Sequence, residues 1–381
     1  MSPTELLTQL VAFDTVSRNS NLEMIAYLER YLRDYGIDSE RIENDDGSRA
    51  NLLARIGPEV EGGVVISGHT DVVPVDGQPW TTDPFTLTER DGKLFGRGSC
   101  DMKGFIACAL ALVPDWVKRE LKRPIYLAFS YDEEIGCLGA PRMIERLVAN
   151  CPKPSAVIVG EPTLMQPVTQ QKGITSLRTV VTGIEAHSSQ INQGISAIHV
   201  AARLVTKIEA IMAELVDEER CNHAFNVPHS SLHVGKIQGG TAINIMARQC
   251  SFEWEIRHLP EDGFDAVFQR FDDYARTVQD ELKQRDSRFA IETTQLTHVV
   301  PGLSHRDNAQ AIAICEQLLG KRELDAVAYA TEAGQFQNAG LEAIICGPGS
   351  ITQAHQPDEF ISIEQLEQGE VFMRRLGEAL S

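Results

Sequence analysis

Apolar positions along the chain fall into two periodicities that take turns. Leu6, Leu7 and Leu10 recur at helical spacing behind Ser2-Pro3-Thr4-Glu5. There a capping serine, a proline suited to the first helical position and a glutamate three residues past the cap mark a helix start. Ile25, Leu28 and Leu32 share one face of a second helix over 21–35, which Gly36 stops. Between such segments lie apolar, β-branched runs at 51–56, 64–67, 124–130, 156–159 and 343–346, each read as a strand, and a buried helix at 105–112. Asp91-Gly92 inside 87–95 is a hairpin signal. Strands separated by helices predict an α/β domain.

From Gly173 to Leu296 the texture changes. Strand 174–183, helix 195–213, strands 230–237 and 249–257, helix 264–282 and strand 289–296 follow one another, with Gly239-Gly240-Thr241-Ala242-Ile243-Asn244 dividing the middle strands. That β-α-β-β-α-β order is the split βαβ pattern of a small α+β two-layer (ferredoxin-like) sandwich. The expected organisation is therefore a first domain segment at 1–172, an inserted domain at 173–296 and a second segment at 297–381, resumed by a helix over 309–319.

Composition narrows the class. A length of 381 residues exceeds one comfortable core, and 43% hydrophobic with 23% charged residues is globular composition. The net charge of −19, from 35 basic and 54 acidic side chains, argues against a nucleic-acid partner, since phosphate binding needs a basic surface. A membrane partner is not expected either, because no apolar run is long enough to span a bilayer. With no basic leader and apolar h-region at the N-terminus, the expected compartment is the cytoplasm. The eight cysteines show no Cys-x-x-Cys pair and read as reduced, mostly buried thiols.

The polar residues with chemistry to offer sit where apolar runs end. Val64-Val65-Ile66-Ser67-Gly68 delivers His69 and Asp71, two residues apart and so on one side of an extended chain. In that geometry His69 can bind a metal while Asp71 fixes its imidazole. Asp101, the adjacent Glu133 and Glu134, Glu161, and His355 beyond Gly347-Pro348-Gly349 stand at other boundaries. In open α/β sheets ligands bind outside the carboxyl ends of strands. Two imidazoles with three carboxylates suit zinc or cobalt and are too nitrogen-rich for calcium. A carboxylate placed between two histidine-bearing sides can bridge two ions, and Asp101 is the natural bridge. On extended chain Glu133 and Glu134 point to opposite sides, so one can bind metal while its neighbour handles protons. These residues alone leave open which is which.

His187 lies in the inserted segment and is either a surface histidine or a hydrogen-bond donor to a developing oxyanion. Arg257 ends a strand there and suits either a structural ion pair or a bidentate grip on a substrate carboxylate. Cys100 lacks a spare activating histidine and reads as a packing residue. His199, His223, His229, His233, His258, His298 and His305 show no ligand spacing.

Several stretches carry a resemblance that covers essentially the whole chain. They are Ser67-Gly68-His69-Thr70-Asp71-Val72-Val73-Pro74, Gly96-Arg97-Gly98-Ser99-Cys100-Asp101-Met102-Lys103-Gly104 and Ser130-Tyr131-Asp132-Glu133-Glu134-Ile135-Gly136-Cys137. Val159-Gly160-Glu161-Pro162-Thr163, Cys346-Gly347-Pro348-Gly349-Ser350 and Gln353-Ala354-His355-Gln356-Pro357-Asp358-Glu359-Phe360 follow in order. Together they resemble the di-zinc amidohydrolase and metallopeptidase family. The resemblance implies a metal-dependent exopeptidase-like catalytic domain, with a mixed central sheet flanked by helices, and an inserted dimerisation lid. It implies two Zn2+ per subunit, with Co2+ as a substitute. Asp101 would bridge the ions, His69 and Glu161 would complete one site, and Glu134 and His355 the other. Glu133 becomes the general base, Asp71 the partner of His69, and Asp101-Met102 a cis peptide. His187 would reach the active site of the other subunit in a homodimer formed through the inserted domain.

The implied activity is removal of the N-acyl group of an N-acyl-L-amino acid. The favoured substrate is N2-acetyl-L-ornithine, giving L-ornithine and acetate in arginine biosynthesis, and desuccinylation of succinyl-diaminopimelate or dipeptidase or carboxypeptidase activity is the alternative. Asn244, Arg257, Gly347 and Gly349 are the expected grip on the substrate's α-carboxylate. One position departs from the pattern: Gln171 stands before Lys172-Gly173, where histidine is usual. A non-catalytic protein on this scaffold would have lost the base or a ligand, and here each of those positions is filled.

Overall fold

The computed structural model describes residues 1–218, 220–306 and 308–381. They form two compact units, one of Met1–Gln170, Leu303–Ala326 and Thr331–Ser381, the other of Gln171–Gly302 and Val327–Ala330.

The first unit is built on an eight-stranded mixed sheet in the order Ser39–Glu43, Ala50–Ile56, Ile125–Ser130, Val64–His69, Ala156–Pro162, Ala343–Gly347, Val168–Gln171, Asp325–Val327. Its four central strands, Ile125–Ser130 to Ala343–Gly347, run parallel. All their residues are buried, which is why they are continuous apolar runs instead of alternating ones. Helix Lys103–Lys118 packs on this sheet and against helices Pro3–Val11 and Ile363–Ala379. The first helix starts as its sequence dictates, with Ser2 Oγ accepting from the Glu5 N–H and the Glu5 carboxylate accepting from the Ser2 N–H. Asp101-Met102 is cis.

Asp91 and Gly92, with φ of 52° and 71°, turn the hairpin of Thr88–Arg90 and Lys93–Phe95. Its third strand was not foreseen. Phe360–Ser362, far along the chain, pairs antiparallel with Lys93–Phe95 and sets the Phe360 ring, tilted, against that of Phe95, with ring centroids 5.4 Å apart.

The second unit carries a four-stranded antiparallel sheet in the order Ser231–Gly239, Gln249–His258, Gly173–Thr182, Ala290–Gln295. Helices Ala197–Asp217 and Phe264–Lys283 pack against it. Gln249–His258 buries alternate residues, Cys250 to His258, because only one face meets the helices. Trp254 sits opposite Leu177 and donates from Nε1 to Thr179 Oγ1 at 3.0 Å. Among the described residues no helix is long and apolar enough to cross a membrane.

Gly160 shows how tightly the central sheet is packed: a Cβ there would lie 2.1 Å from Phe105 Cδ1. Gly160→Ala should therefore lose about 1–3 kcal/mol of stability, read as a lower urea midpoint, and an unchanged midpoint would contradict this packing.

Candidate metal centre

The carboxyl ends of the four parallel strands lie along one edge of the sheet. His69 ends its strand in register with Ser130, which ends the next and leads into Asp132-Glu133-Glu134. Glu161 is the penultimate residue of Ala156–Pro162, whose Pro162 pairs with Gly347 at the head of the loop to His355. Asp101 stands just ahead of helix Lys103–Lys118.

These residues converge. His69 Nε2 lies 3.0 Å from Asp101 Oδ1 and 3.8 Å from Glu161 Oε1. His355 Nε2 lies 3.4 Å from Asp101 Oδ2 and 3.0 Å from Glu134 Oε2. The two oxygens of Asp101 thus face two different imidazoles. Ligand atoms of His69, Glu133 and Glu161, and of His69, Asp101 and Glu134, each fall within 4.8 Å of one another. His69 is 1% exposed, whereas the His355 side chain is 51% exposed.

The electrostatics are those of a cation site. Burial pushes the Glu133 and Glu161 carboxyls well above the usual range, aided by the charge of Glu161 on Glu133 and of Asp101 on Glu161. Burial, with the charge of Asp101, raises Glu134 to about 7. Burial would raise Asp101 as well, but its hydrogen bonds with His355 and His69 hold it below the usual carboxylate range. Burial opposes charge on His69, yet the Asp101 hydrogen bond and the charges of Glu161 and Glu133 hold it well above normal. Hydrogen bonds with Asp101 and Glu134 lift His355 to about 10.

Glu134 Oε1 and Glu161 Oε1 are buried with no hydrogen-bond partner. A buried carboxylate oxygen without a donor is costly unless a cation takes it up. Four carboxylates around two imidazoles, with two orphaned oxygens, fit divalent metal ions, and the mixed nitrogen and oxygen set suits zinc.

Asp71 is used differently from the expectation. His69 Nδ1 meets the Asp71 backbone carbonyl at 2.9 Å, while the Asp71 carboxylate is 3.6 Å away. Because a carbonyl only accepts, Nδ1 carries a proton, and Nε2 is the nitrogen turned to the cluster. The carboxylate instead accepts from the N–H groups of Glu133 and Glu134, at 3.1 and 3.2 Å, and from Ser17 Oγ at 2.7 Å. Asp71 therefore orients the histidine and both glutamates, and Ser17, which no motif flagged, completes its bonding. Cys137 Sγ donates to Glu133 Oε1 at 3.4 Å. Cys100 packs, with its Sγ donating to the Ser350 carbonyl at 3.4 Å.

Gly347 and Gly349 serve close packing. Their N–H groups are already engaged, by Thr163 Oγ1 at 3.2 Å and Gln365 Oε1 at 3.0 Å, so the expected carboxylate grip lacks donors at these two positions. A Cβ on Gly347 would lie 2.0 Å from the Gly160 carbonyl oxygen, and one on Gly349, whose φ is +87°, 2.5 Å from Cys100 Sγ.

His187, Asn244 and Arg257 belong to the second unit. His187 is exposed, and its Nδ1 accepts from the Ser189 N–H at 3.2 Å, which leaves Nε2 as the donor of the neutral ring. The exposed Asn244 lies on the neighbouring loop, its carbonyl accepting from the Ser188 N–H at 3.0 Å. Arg257 donates from Nε to Glu255 at 2.8 Å and from Nη1 to the Ala328 carbonyl at 3.4 Å.

Comparison with known proteins identifies the family. The pattern of Peptidase family M20/M25/M40 matches residues 65–379, and the chain belongs to that family. Such membership makes it a hydrolase of amide bonds. It is 35% identical over 366 residues to acetylornithine deacetylase of Shigella sonnei, covering 94% of this chain and 92% of the relative. It is 34% identical over 374 residues to acetylornithine deacetylase of Myxococcus xanthus, covering 97% and 95%. Aminopeptidase PepT of Bacillus cereus shares the fold, with a TM-score of 0.76 at 17% identity over 100% of this chain and 98% of that one.

Stripping divalent ions with a chelator should lower the melting temperature, and zinc should restore it in a concentration-dependent way. Saturation at about 100 times Kd corresponds to about 2.7 kcal/mol. A melting temperature indifferent to both treatments would contradict a metal centre here.

Proposed function

We propose that this protein binds two divalent cations and removes the acetyl group of N2-acetyl-L-ornithine, releasing L-ornithine and acetate as a step of arginine biosynthesis. The observation that carries the two-cation reading is Asp101, whose two oxygens face His69 and His355 separately. The activity named for the relatives supports the substrate. In this reading His69 and Glu161 would hold one cation, Glu134 and His355 the other, with Asp101 contributing to both. Zinc is the favoured metal, with cobalt as a substitute. When bound, such a pair supplies Lewis-acid polarisation of the amide carbonyl and lowers the pKa of water.

The remaining chemistry belongs to the chain. Glu133, held through its N–H by Asp71, takes a proton from water as the oxygen adds to the acetyl carbonyl. It then delivers that proton to the departing amine nitrogen as the C–N bond breaks, leaving acetate and the free amino acid. His187, with Nε2 free to donate, is assigned to the oxyanion of the tetrahedral intermediate. Arg257 and Asn244 are assigned to the substrate α-carboxylate.

The second unit is assigned to dimerisation, with His187 serving the active site of the other subunit. Its outer strand Ser231–Gly239 leaves Ile237 54% exposed, and the adjoining loop leaves Ile243 fully exposed, apolar surface of the kind that pairing covers. The assigned compartment is the cytoplasm, a reducing environment in which the eight free cysteines stay as thiols.

Zinc-loaded protein offered N2-acetyl-L-ornithine, N-succinyl-diaminopimelate and dipeptides should show its highest kcat/KM on the first, and failure to hydrolyse any N-acyl amino acid sinks the reading. Glu133→Gln should keep both cations and lose about 10²–10⁴ in kcat; loss of a cation instead would reverse the two glutamates. Sedimentation at micromolar concentration should give a dimer, and a monomer under those conditions removes the dimer assignment.

A further inference from the structure

Glu359 and Arg97 are the most deeply buried ion pair in the first unit among the described residues, with side chains 0% and 1% exposed and Nη1 2.7 Å from Oε2. Neither is a candidate ligand. What they hold, however, is ligand backbone. Glu359 Oε1 accepts from the N–H groups of Cys100 and Asp101, at 2.9 and 3.0 Å, and Oε2 from that of Gly98 at 3.1 Å. One carboxylate thereby fixes the whole turn that presents Asp101.

Arg97 extends the same network the other way. Its Nη1 also donates to the Gln356 carbonyl at 3.2 Å, and its Nη2 donates to Gln78 Oε1. Gln78 in turn donates from Nε2 to the His355 carbonyl at 2.9 Å. The loop so held needs holding: His355 and Asp358 have φ of 62° and 54°, a region that side chains other than glycine rarely occupy. Asp358 is clamped by Thr81, whose N–H and Oγ1 reach its carboxylate at 2.8 and 2.9 Å. His69 and Glu161, by contrast, stand on strands of the central sheet and need no such tie.

A buried ion pair is by itself weak evidence for stability, since desolvation offsets most of its Coulomb attraction. Here the partners of the pair are the backbones of two ligand-bearing turns, and partners of that kind tune metal affinity. We propose that Arg97 and Glu359, with Gln78, are positioning residues that couple Asp101 to His355 and set the affinity of the cation assigned to Asp101, Glu134 and His355 more than that of the cation assigned to Asp101, His69 and Glu161, whose other two ligands stand on the sheet. This rests on the two-cation reading above.

The test is calorimetric titration of the metal-free full-length protein with Co2+, supported by the visible spectrum of the bound ion. Wild type should take up two ions. Glu359→Gln should keep the tighter site within about threefold and weaken the other about 10–100-fold, giving at low occupancy the spectrum that His355→Ala gives. Gln78→Ala, a half-buried and milder change, should weaken the same site by a smaller factor at an unchanged metal-free melting temperature, and it decides the question if Glu359→Gln does not fold. Uptake of a single ion by wild type would overturn the two-cation reading. Two ions in wild type with unchanged affinities in the variants would overturn the coupling alone, as would equal weakening of both sites.

Discussion

Buried negative charge is the constraint on which this structure turns. Asp101, Glu133, Glu134 and Glu161 converge where water is largely excluded, and an ionised carboxylate there costs several kcal/mol unless donors or cations meet it. The surrounding carboxylates show how the protein meets that demand where it can. Asp71 accepts from two N–H groups and a serine hydroxyl, and Glu359 from three N–H groups and a guanidinium. Those two acids are saturated by the chain itself and act as framework. Glu134 and Glu161 each keep a buried oxygen without a partner. Among these four acids, donor accounting separates two that hold backbone of the site from two that keep capacity for a cation.

That sorting explains which residues the sequence could reveal. His69, Glu134 and Glu161 follow apolar runs, Asp101 precedes one and His355 lies beyond a glycine-containing loop at the end of another, and strand ends on one side of a parallel sheet share an edge, so local pattern was enough to nominate them. The β-α-β-β-α-β order of the second unit was legible for the same reason, because each element declares its own periodicity. Ser17, Arg97 and Glu359 could not be found that way. Ser17 reaches Asp71 across 54 positions and Glu359 reaches Asp101 across 258, with no local signal at either end. Strand Phe360–Ser362 was missed likewise, since three residues are too short to show alternation and their pairing partner is Lys93–Phe95. The Asp71 carboxylate illustrates a subtler loss. Period-two spacing put it beside His69, but the strand ends there, and the turn swings the carbonyl toward the ring and the carboxylate toward the glutamates.

The two halves of the cluster are built to different standards. His69 and Glu161 extend from strands hydrogen-bonded to neighbours on both sides, and His69 is 1% exposed. Glu134 and His355 come from a turn and a loop, with His355 in left-handed backbone and its side chain 51% exposed. Packed sheet fixes position with little help, whereas a loop keeps a disfavoured conformation only when its surroundings over-determine it. The bonds from Gln78 and Arg97 and the Thr81 clamp on Asp358 are that over-determination. The same asymmetry gives the site a direction. The buried side of the cluster lies at His69, on the sheet, and the solvent-facing side at His355, on the loop. Glu133 is tied through its N–H to Asp71 and accepts at Oε1 from Cys137, so its backbone is fixed by the same acid that orients His69.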